Sequence, residues 1–173
     1  MELRDISRSL ENSKIKPNDI VMIHADAGIA AQLTKVPVNA KLNKFIHEII
    51  NYFKKDGTIL VPTFSYSFTK NENFNTATTP SLVGQFSENF RKFDSVKRTR
   101  HPIFSFSCIG KYANDFKNID IDNCFGEGTI FDKFHKMNGV IICLGANFDT
   151  ITFVHHVEQL ARVEYRYFKT FCG

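Results

Sequence analysis

Two kinds of apolar pattern alternate along the chain. Leu3, Ile6 and Leu10 recur at helical spacing over residues 2–13, and Ile15-Lys16-Pro17-Asn18-Asp19 reads as a turn. Ile20-Val21-Met22-Ile23-His24 is then apolar without alternation, the mark of a strand buried on both faces. Leu42, Phe45, Ile46, Ile49, Ile50 and Phe53 make one stripe and predict a helix over residues 40–54. Lys55-Asp56-Gly57 stops it, with Gly57 suited to a left-handed C-cap. Thr58-Ile59-Leu60-Val61 is a second buried strand, ended by Pro62. Residues 64–79 are polar, rich in Asn and Thr, and lack a period, which predicts a long loop at a strand's C-terminal end. Thr79-Pro80-Ser81 reads as a helix start, with Leu82, Phe86 and Phe90 as the buried face. Residues 103–109 are a strand candidate diluted by serines, and Gly139-Val140-Ile141-Ile142-Cys143-Leu144-Gly145 reads as a central strand. A loop over 146–151 leads into a last helix that opens near Thr152. The alternation of helix and strand predicts an α/β domain with parallel pairing.

Length and composition narrow this picture. At 173 residues the chain fits one domain, residues 1–173, with a sizeable core. No apolar run approaches a membrane span, and Met1-Glu2-Leu3-Arg4-Asp5 carries no secretory pattern, so the expectation is a cytoplasmic protein that meets no membrane. Cys108, Cys124, Cys143 and Cys172 form no C-x-x-C pair; Cys108 and Cys143 fall in apolar runs and read as buried thiols. Eighteen Phe and no Trp point to a core filled by phenyl rings. The net charge of +4 is not gathered in a tail. Its densest cluster, Lys97-Arg98-Arg100 before His101, suits a phosphate-bearing small ligand better than a nucleic acid.

The candidate chemistry lies in Thr152-Phe153-Val154-His155-His156-Val157-Glu158. Three residues apart on a helix, His155 and Glu158 share a face, an imidazole beside a carboxylate: a general base with its orienting partner. His156 points about 100° further round. Val154, Val157 and Ala161 form an apolar stripe that could hold the helix against a sheet. A metal set of His155, His156 and Glu158 fits poorly, since adjacent histidines diverge, and no metal is expected. His24, Thr63 and Ser65 also fall where strands end, as does His155; if those strands are parallel, they share one rim of the sheet.

In this order the landmarks resemble the aminoglycoside N3-acetyltransferase (antibiotic acetyltransferase) family. They are the strand ending in His24; Gly57-Thr58-Ile59-Leu60-Val61-Pro62-Thr63-Phe64-Ser65; Thr79-Pro80-Ser81 with Gly84, Glu88 and Arg91; Arg98-Thr99-Arg100-His101-Pro102 with Ser105 and Gly110; Phe125-Gly126; Leu144-Gly145; and the stretch from Thr152 to Glu158. The resemblance covers nearly the whole chain. It implies a three-layer α/β/α fold with a mostly parallel central sheet, distinct from the GNAT fold, and an N-acetyltransferase that uses acetyl-CoA on an amine of an aminoglycoside or related amino sugar. It assigns His155 as base and Glu158 as orienter. CoA would meet Ser65, Ser81, Arg98, Thr99, Arg100 and His101, the arginines matching phosphate in a forked geometry. The acceptor would meet His24, Thr63 and Asn75, and a homo-oligomer is compatible with the pattern.

The chain departs from the family in four places. Asn75-Thr76 stand where the family has Asp-Pro, an Arg-Ser-x-His-Pro motif becomes Arg98-Thr99-Arg100-His101-Pro102 with Thr99 in place of Ser, and Gly126-Glu127-Gly128-Thr129-Ile130 lacks a proline. Family members also continue past the His-x-x-Glu helix, so the resemblance implies a chain shortened at its C-terminus. A lost carboxylate and a basic chain suit a polycationic acceptor poorly. The alternatives are therefore an N-acyltransferase for a nucleotide-linked amino sugar of surface polysaccharide, or an inactive CoA-binding remnant.

Overall fold

A computed structural model describes residues 1–53, 55–119 and 121–170. Cys172 lies outside them. The elements in chain order are α1 (Leu3–Asn12), β1 (Ile20–Ala25), α2 (Lys41–Phe53), β2 (Thr58–Pro62), α3 (Gln85–Phe90), β3 (Lys97–Arg98), β4 (Phe106–Gly110), α4 (Ala113–Lys117), α5 (Ile130–Lys136), β5 (Val140–Leu144) and α6 (Val154–Ala161). The sheet order is β3-β4-β2-β1-β5. β1 runs parallel to both β2 and β5, while β4 is antiparallel to β2 and β3. The sheet is therefore mixed, with a parallel half formed by the three most apolar strands.

Each face of the sheet carries its own core. On one side Val21, Ile23, Ile59 and Val61 meet α1, α2 and α3 through Ile6, Leu10, Phe45, Ile46, Ile49, Phe53, Phe86 and Phe90. On the other, Met22, Leu60, Phe106 and Cys108 meet Phe116 of α4 and Phe131 and Phe134 of α5. The two layers of helices on one sheet are the three-layer α/β/α arrangement. Fully burying each large apolar side chain contributes about 1.5–3 kcal/mol, so the stripe of α2 alone fixes that helix to the sheet. The phenyl rings expected in the core are there: seven of the largest fully buried side chains are Phe.

Four expectations change. Gly57 is not in the left-handed region. It is needed for space, because a Cβ there would strike the Pro17 carbonyl and lie 3.0 Å from the Asp19 and Phe53 carbonyl oxygens. The helix expected at Thr79-Pro80-Ser81 starts later, at Gln85, with Gly84 at φ +106° as its N-cap, and Leu82 is exposed. Glu88 reaches back and accepts the Ser81 N–H at 2.7 Å, so the preceding segment is tied down as a loop. Val140–Leu144 is not central: among the described residues β5 ends the sheet and is only half-buried. Finally, the stripe of Val154 and Val157 on α6 faces outward at 45% and 49% exposure, while His156 is the residue turned fully inward. Phe153 decides this by wedging its ring against Phe131 and Phe134, which draws the neighbouring His156 into the core.

Candidate active site

The parallel half of the sheet places the C-terminal ends of β1, β2 and β5 on one rim. Their main chains are pinned in register, with His24 opposite Cys143 and Ala25 opposite Leu144. Beyond this rim lies a cavity of about 340 Å³, lined in part by His24, Phe64, Tyr66, Ala146 and Thr152. A cavity of that size holds a small-molecule group rather than a single water. His24 is 6% exposed, and its Nε2 has no hydrogen-bond partner. Burial pushes its pKa down to about 4, so it is a neutral imidazole at pH 7.

α6 starts ten residues after β5 ends and carries the His155–Glu158 pair. Nδ1 of His155 lies 2.8 Å from Oε2 of Glu158. A carboxylate at Nδ1 favours the tautomer with its proton there, leaving the Nε2 lone pair for an incoming proton. The hydrogen bond from His155 is the main influence holding the Glu158 carboxyl below its usual range; the Tyr165 hydroxyl and the Arg166 charge add to it against some desolvation. Tyr165 donates to Glu158 Oε1 at 3.2 Å and Arg166 Nη1 lies 2.7 Å from Oε2. Arg162 at φ 51° ends α6 and turns the chain back so that both can reach the pair. Sequence reading missed Tyr165 and Arg166, which lie past the helix where no periodicity points to them.

Aromatic rings connect this pair to the basic segment. Phe125 packs edge-on against His155 at 5.3 Å between ring centres, Phe104 packs on Phe125 at 5.0 Å, and His101 on Phe104 at 6.0 Å. His101 Nδ1 accepts the N–H groups of Ile103 and Phe104, so its proton belongs on Nε2. Burial lowers its pKa, partly offset by the Asn123 backbone. His156 does not join His155: its ring is sealed against Phe153 and His135. Among the described residues no three His, Cys, Asp or Glu side chains are grouped as a metal site.

The other residues singled out in the sequence divide by burial. Arg98 is buried, and burial brings its pKa down to about 10. Its guanidinium faces inward, donating to the Thr63 and Thr79 carbonyls and, at 3.1 Å, to Ser105 Oγ, with Phe74 across its face. It therefore acts as a cross-brace between loops in this structure. Thr63 is enclosed, its hydroxyl donating to the Ser105 carbonyl and accepting from Ser107. Ser65 donates to the Pro102 carbonyl at 3.1 Å, and Thr99 Oγ1 accepts the Phe106 N–H at 2.9 Å. Neither Thr63 nor Ser65 lines the large cavity, whereas His24 does. Thr99 and His101 line a separate void of about 10 Å³, room for little more than one water. Asn75 is exposed and caps its own loop, accepting the N–H groups of Ala77 and Thr78. Arg100 is exposed, the residue of this cluster left facing solvent. Glu88 and Arg91 brace the Thr-Pro-Ser loop: Arg91 forks onto both Glu88 oxygens at 2.6 and 2.7 Å and donates to the Ala77 carbonyl.

Comparisons with known proteins fit this geometry. A family model described as aminoglycoside 3-N-acetyltransferase matches residues 22–172. The chain is 25% identical to the SPbeta prophage-derived aminoglycoside N(3')-acetyltransferase-like protein YokD of Bacillus subtilis (strain 168), over 94% of this chain and 66% of that protein. It is 25% identical to aminoglycoside N(3)-acetyltransferase IV of Salmonella sp, over 90% of this chain and 58% of the relative. The chain thus spans roughly three fifths of the length of these relatives. Among solved structures, the apoenzyme of aminoglycoside acetyltransferase AAC(3)-IVa superposes with a TM-score of 0.81 at 22% identity, covering 95% of this chain and 62% of that one. A binary complex of AAC-IIIb with CoASH superposes at 0.77 and 20% identity, covering 92% and 65%. These likenesses establish the fold, α/β with a mixed five-stranded sheet, and the family match covers most of the chain. The chain belongs to the aminoglycoside 3-N-acetyltransferase family.

Proposed function

We propose that this chain carries the catalytic face of an acetyl-CoA-dependent N-acetyltransferase acting on an amine of an aminoglycoside or related amino sugar. One observation carries the reading: the 2.8 Å His155–Glu158 pair on α6, in a chain of this family. A sugar amine is largely protonated near pH 7 and attacks a thioester only as the neutral base. The amine nitrogen adds to the thioester carbonyl carbon, and Nε2 of His155 takes the proton that the nitrogen must shed. Glu158 holds the ring and stabilises the imidazolium that forms. The tetrahedral oxyanion needs N–H donors near the strand ends. Collapse breaks the carbon–sulfur bond, and the imidazolium returns its proton to the departing thiolate. The products are an N-acetyl sugar and CoA, with no covalent enzyme intermediate.

For the CoA phosphates, solvent-facing Arg100 suits the task better than inward-turned Arg98. The net charge of +4 also favours an anionic cosubstrate. The same charge, with Asn75 in place of a carboxylate, favours a nucleotide-linked amino sugar as a second acceptor class. The test is thiol release from acetyl-CoA by the purified chain with aminoglycosides and nucleotide-linked amino sugars, for the wild type and His155→Ala. The variant should keep CoA binding and lose roughly 100-fold or more of turnover. Turnover equal to wild type removes His155 from the reaction. A folded chain that binds CoA and acetylates nothing is the remnant, and the proposal of activity falls.

A further inference from the structure

The mechanism above needs His155 to carry its proton on Nδ1, and one residue in the structure works against that. Arg166 Nη1 lies 2.6 Å from His155 Nδ1, closer than Glu158 Oε2 at 2.8 Å. The same Nη1 is 2.7 Å from Glu158 Oε2. The three atoms form a nearly equilateral triangle. A guanidinium nitrogen has only hydrogens to offer and accepts nothing. A neutral imidazole offers at Nδ1 either a hydrogen or a lone pair. If Nδ1 carries hydrogen, it donates to Glu158 but cannot accept from Arg166, whose Nη1 lies 2.6 Å from it. If Nδ1 carries the lone pair, it accepts from Arg166 at the loss of its own hydrogen bond to Glu158, and the ring proton sits on Nε2, where no lone pair remains for an amine proton. The hydrogens on one guanidinium nitrogen diverge by about 120°, so when Nη1 serves both corners of so narrow a triangle each hydrogen bond is bent. Arg166 and Glu158 thus compete for the same ring nitrogen.

We infer that Arg166 is a positioning residue that gates the base: against Nδ1 it holds His155 in the Nε2–H tautomer, and on Glu158 alone it releases the Nδ1–H tautomer. The reach is built into the chain. The left-handed Arg162 and the Val163 N–H bonded back to the Glu158 carbonyl fold residues 163–166 over the end of α6. Tyr165 from the same turn holds the other oxygen of Glu158, which keeps the carboxylate in place whichever way Arg166 points. The Arg166 side chain is 37% exposed, so it has solvent to move into. The functional meaning of the gate rests on the proposed acetyl transfer, but the tautomer itself does not.

The test reads protons on the ring directly. Two-bond proton–nitrogen correlation spectra of histidine-labelled protein, at a pH where the imidazoles are neutral, report which nitrogen of each ring is bare. His155 is identified by the signal lost in His155→Gln. The wild type should show His155 with Nδ1 bare and Nε2 protonated. Arg166→Ala and Arg166→Gln should reverse the two, while Arg166→Lys, which keeps a donor of similar reach, should retain a wild-type share. If acetyl transfer is also observed, the Ala and Gln variants should raise kcat several-fold with KM little changed. A wild-type ring already protonated on Nδ1, or a tautomer unchanged in both the Ala and Gln variants, overturns the gate. Reversal of the tautomer in a protein that acetylates nothing leaves the gate standing and removes the catalytic reading instead.

Discussion

His24 makes the protein acid-sensitive, and its contribution can be isolated. The imidazole sits at the end of β1 in the wall of the rim cavity, 6% exposed, with Nε2 unpartnered. Burial without a partner disfavours the charged ring, and its pKa falls from 6.5 to about 4. The unfolded chain therefore binds a proton that the folded chain refuses between those values. The contribution of His24 is fully present above pH 6.5 and is lost as pH falls toward 4. From 6.5 to pH 5 is 1.5 pH units at about 1.36 kcal/mol each, or about 2 kcal/mol by pH 5. That is a large share of the about 5–15 kcal/mol that holds a domain together. His101 and His156 are lowered by burial in the same direction, so the wild-type slope exceeds the share of His24. Urea unfolding followed by circular dichroism at pH 8 and pH 5 should show His24→Leu losing about 2 kcal/mol less than wild type across that interval. His24→Gln, which keeps a polar group but does not titrate, should behave in the same way if the leucine disturbs the cavity wall. If both variants lose as much as the wild type, the ring is not held neutral and the burial argument fails.

Further tests follow from single side chains. Arg98→Ala should destabilise the fold by about 2–4 kcal/mol in urea midpoints, because it strips donors from the buried Thr63 carbonyl, the Thr79 carbonyl and the Ser105 hydroxyl. Arg100→Ala should leave stability within about 0.5 kcal/mol of wild type and weaken CoA binding in calorimetry; the opposite pattern would restore the phosphate role to Arg98. Gly110→Ala should cost more than about 2 kcal/mol, since Gly110 sits at φ +115° and a Cβ would strike the Gly57 carbonyl of the neighbouring strand connection. His156→Phe should raise the melting temperature, because both buried ring nitrogens lack partners and their desolvation costs about 1–3 kcal/mol each.

The parallel half of the sheet was legible because unbroken apolar runs have few alternatives to burial on both faces. β1 and β2 show that pattern, and α2 shows the six-residue stripe of a helix. α4 and α5, of five and seven residues, are too short to develop a stripe, and the two-residue β3 leaves none at all. The late start of α3 was hidden because its N-cap is Gly84, with no side-chain cap, while Glu88 reaches backward to Ser81 and ties the Thr-Pro-Ser segment down as a loop. At the site, spacing alone put His155 beside Glu158. The loop contacts of Thr63, Ser65 and Arg98 depend on residues 7 to 42 positions away and could not be read from spacing. The resemblance to a family supplied positions but not directions, and the inward turn of Arg98 is a matter of direction.

Helical spacing would bring His and Glu together at i and i+3 on any exposed helix, so proximity by itself says little about catalysis. What distinguishes this pair is how the helix is oriented. α6 turns away from solvent a residue poorly suited to unpartnered burial, His156, and exposes Val154 and Val157. A helix free to rotate would bury the valines. Phe153 prevents that rotation by packing on Phe131, Phe134 and the His156 ring, and Phe125 stacks its edge on His155 from the opposite segment. Under the proposed function, the unpartnered nitrogens of His156 and the exposed valines are the costs of presenting His155 and Glu158 on the aromatic side of the helix. A His156→Phe, Val154→Gln, Val157→Gln variant relieves both costs without touching the pair, so a rise in melting temperature with the 2.8 Å His155–Glu158 contact retained checks this account of the helix.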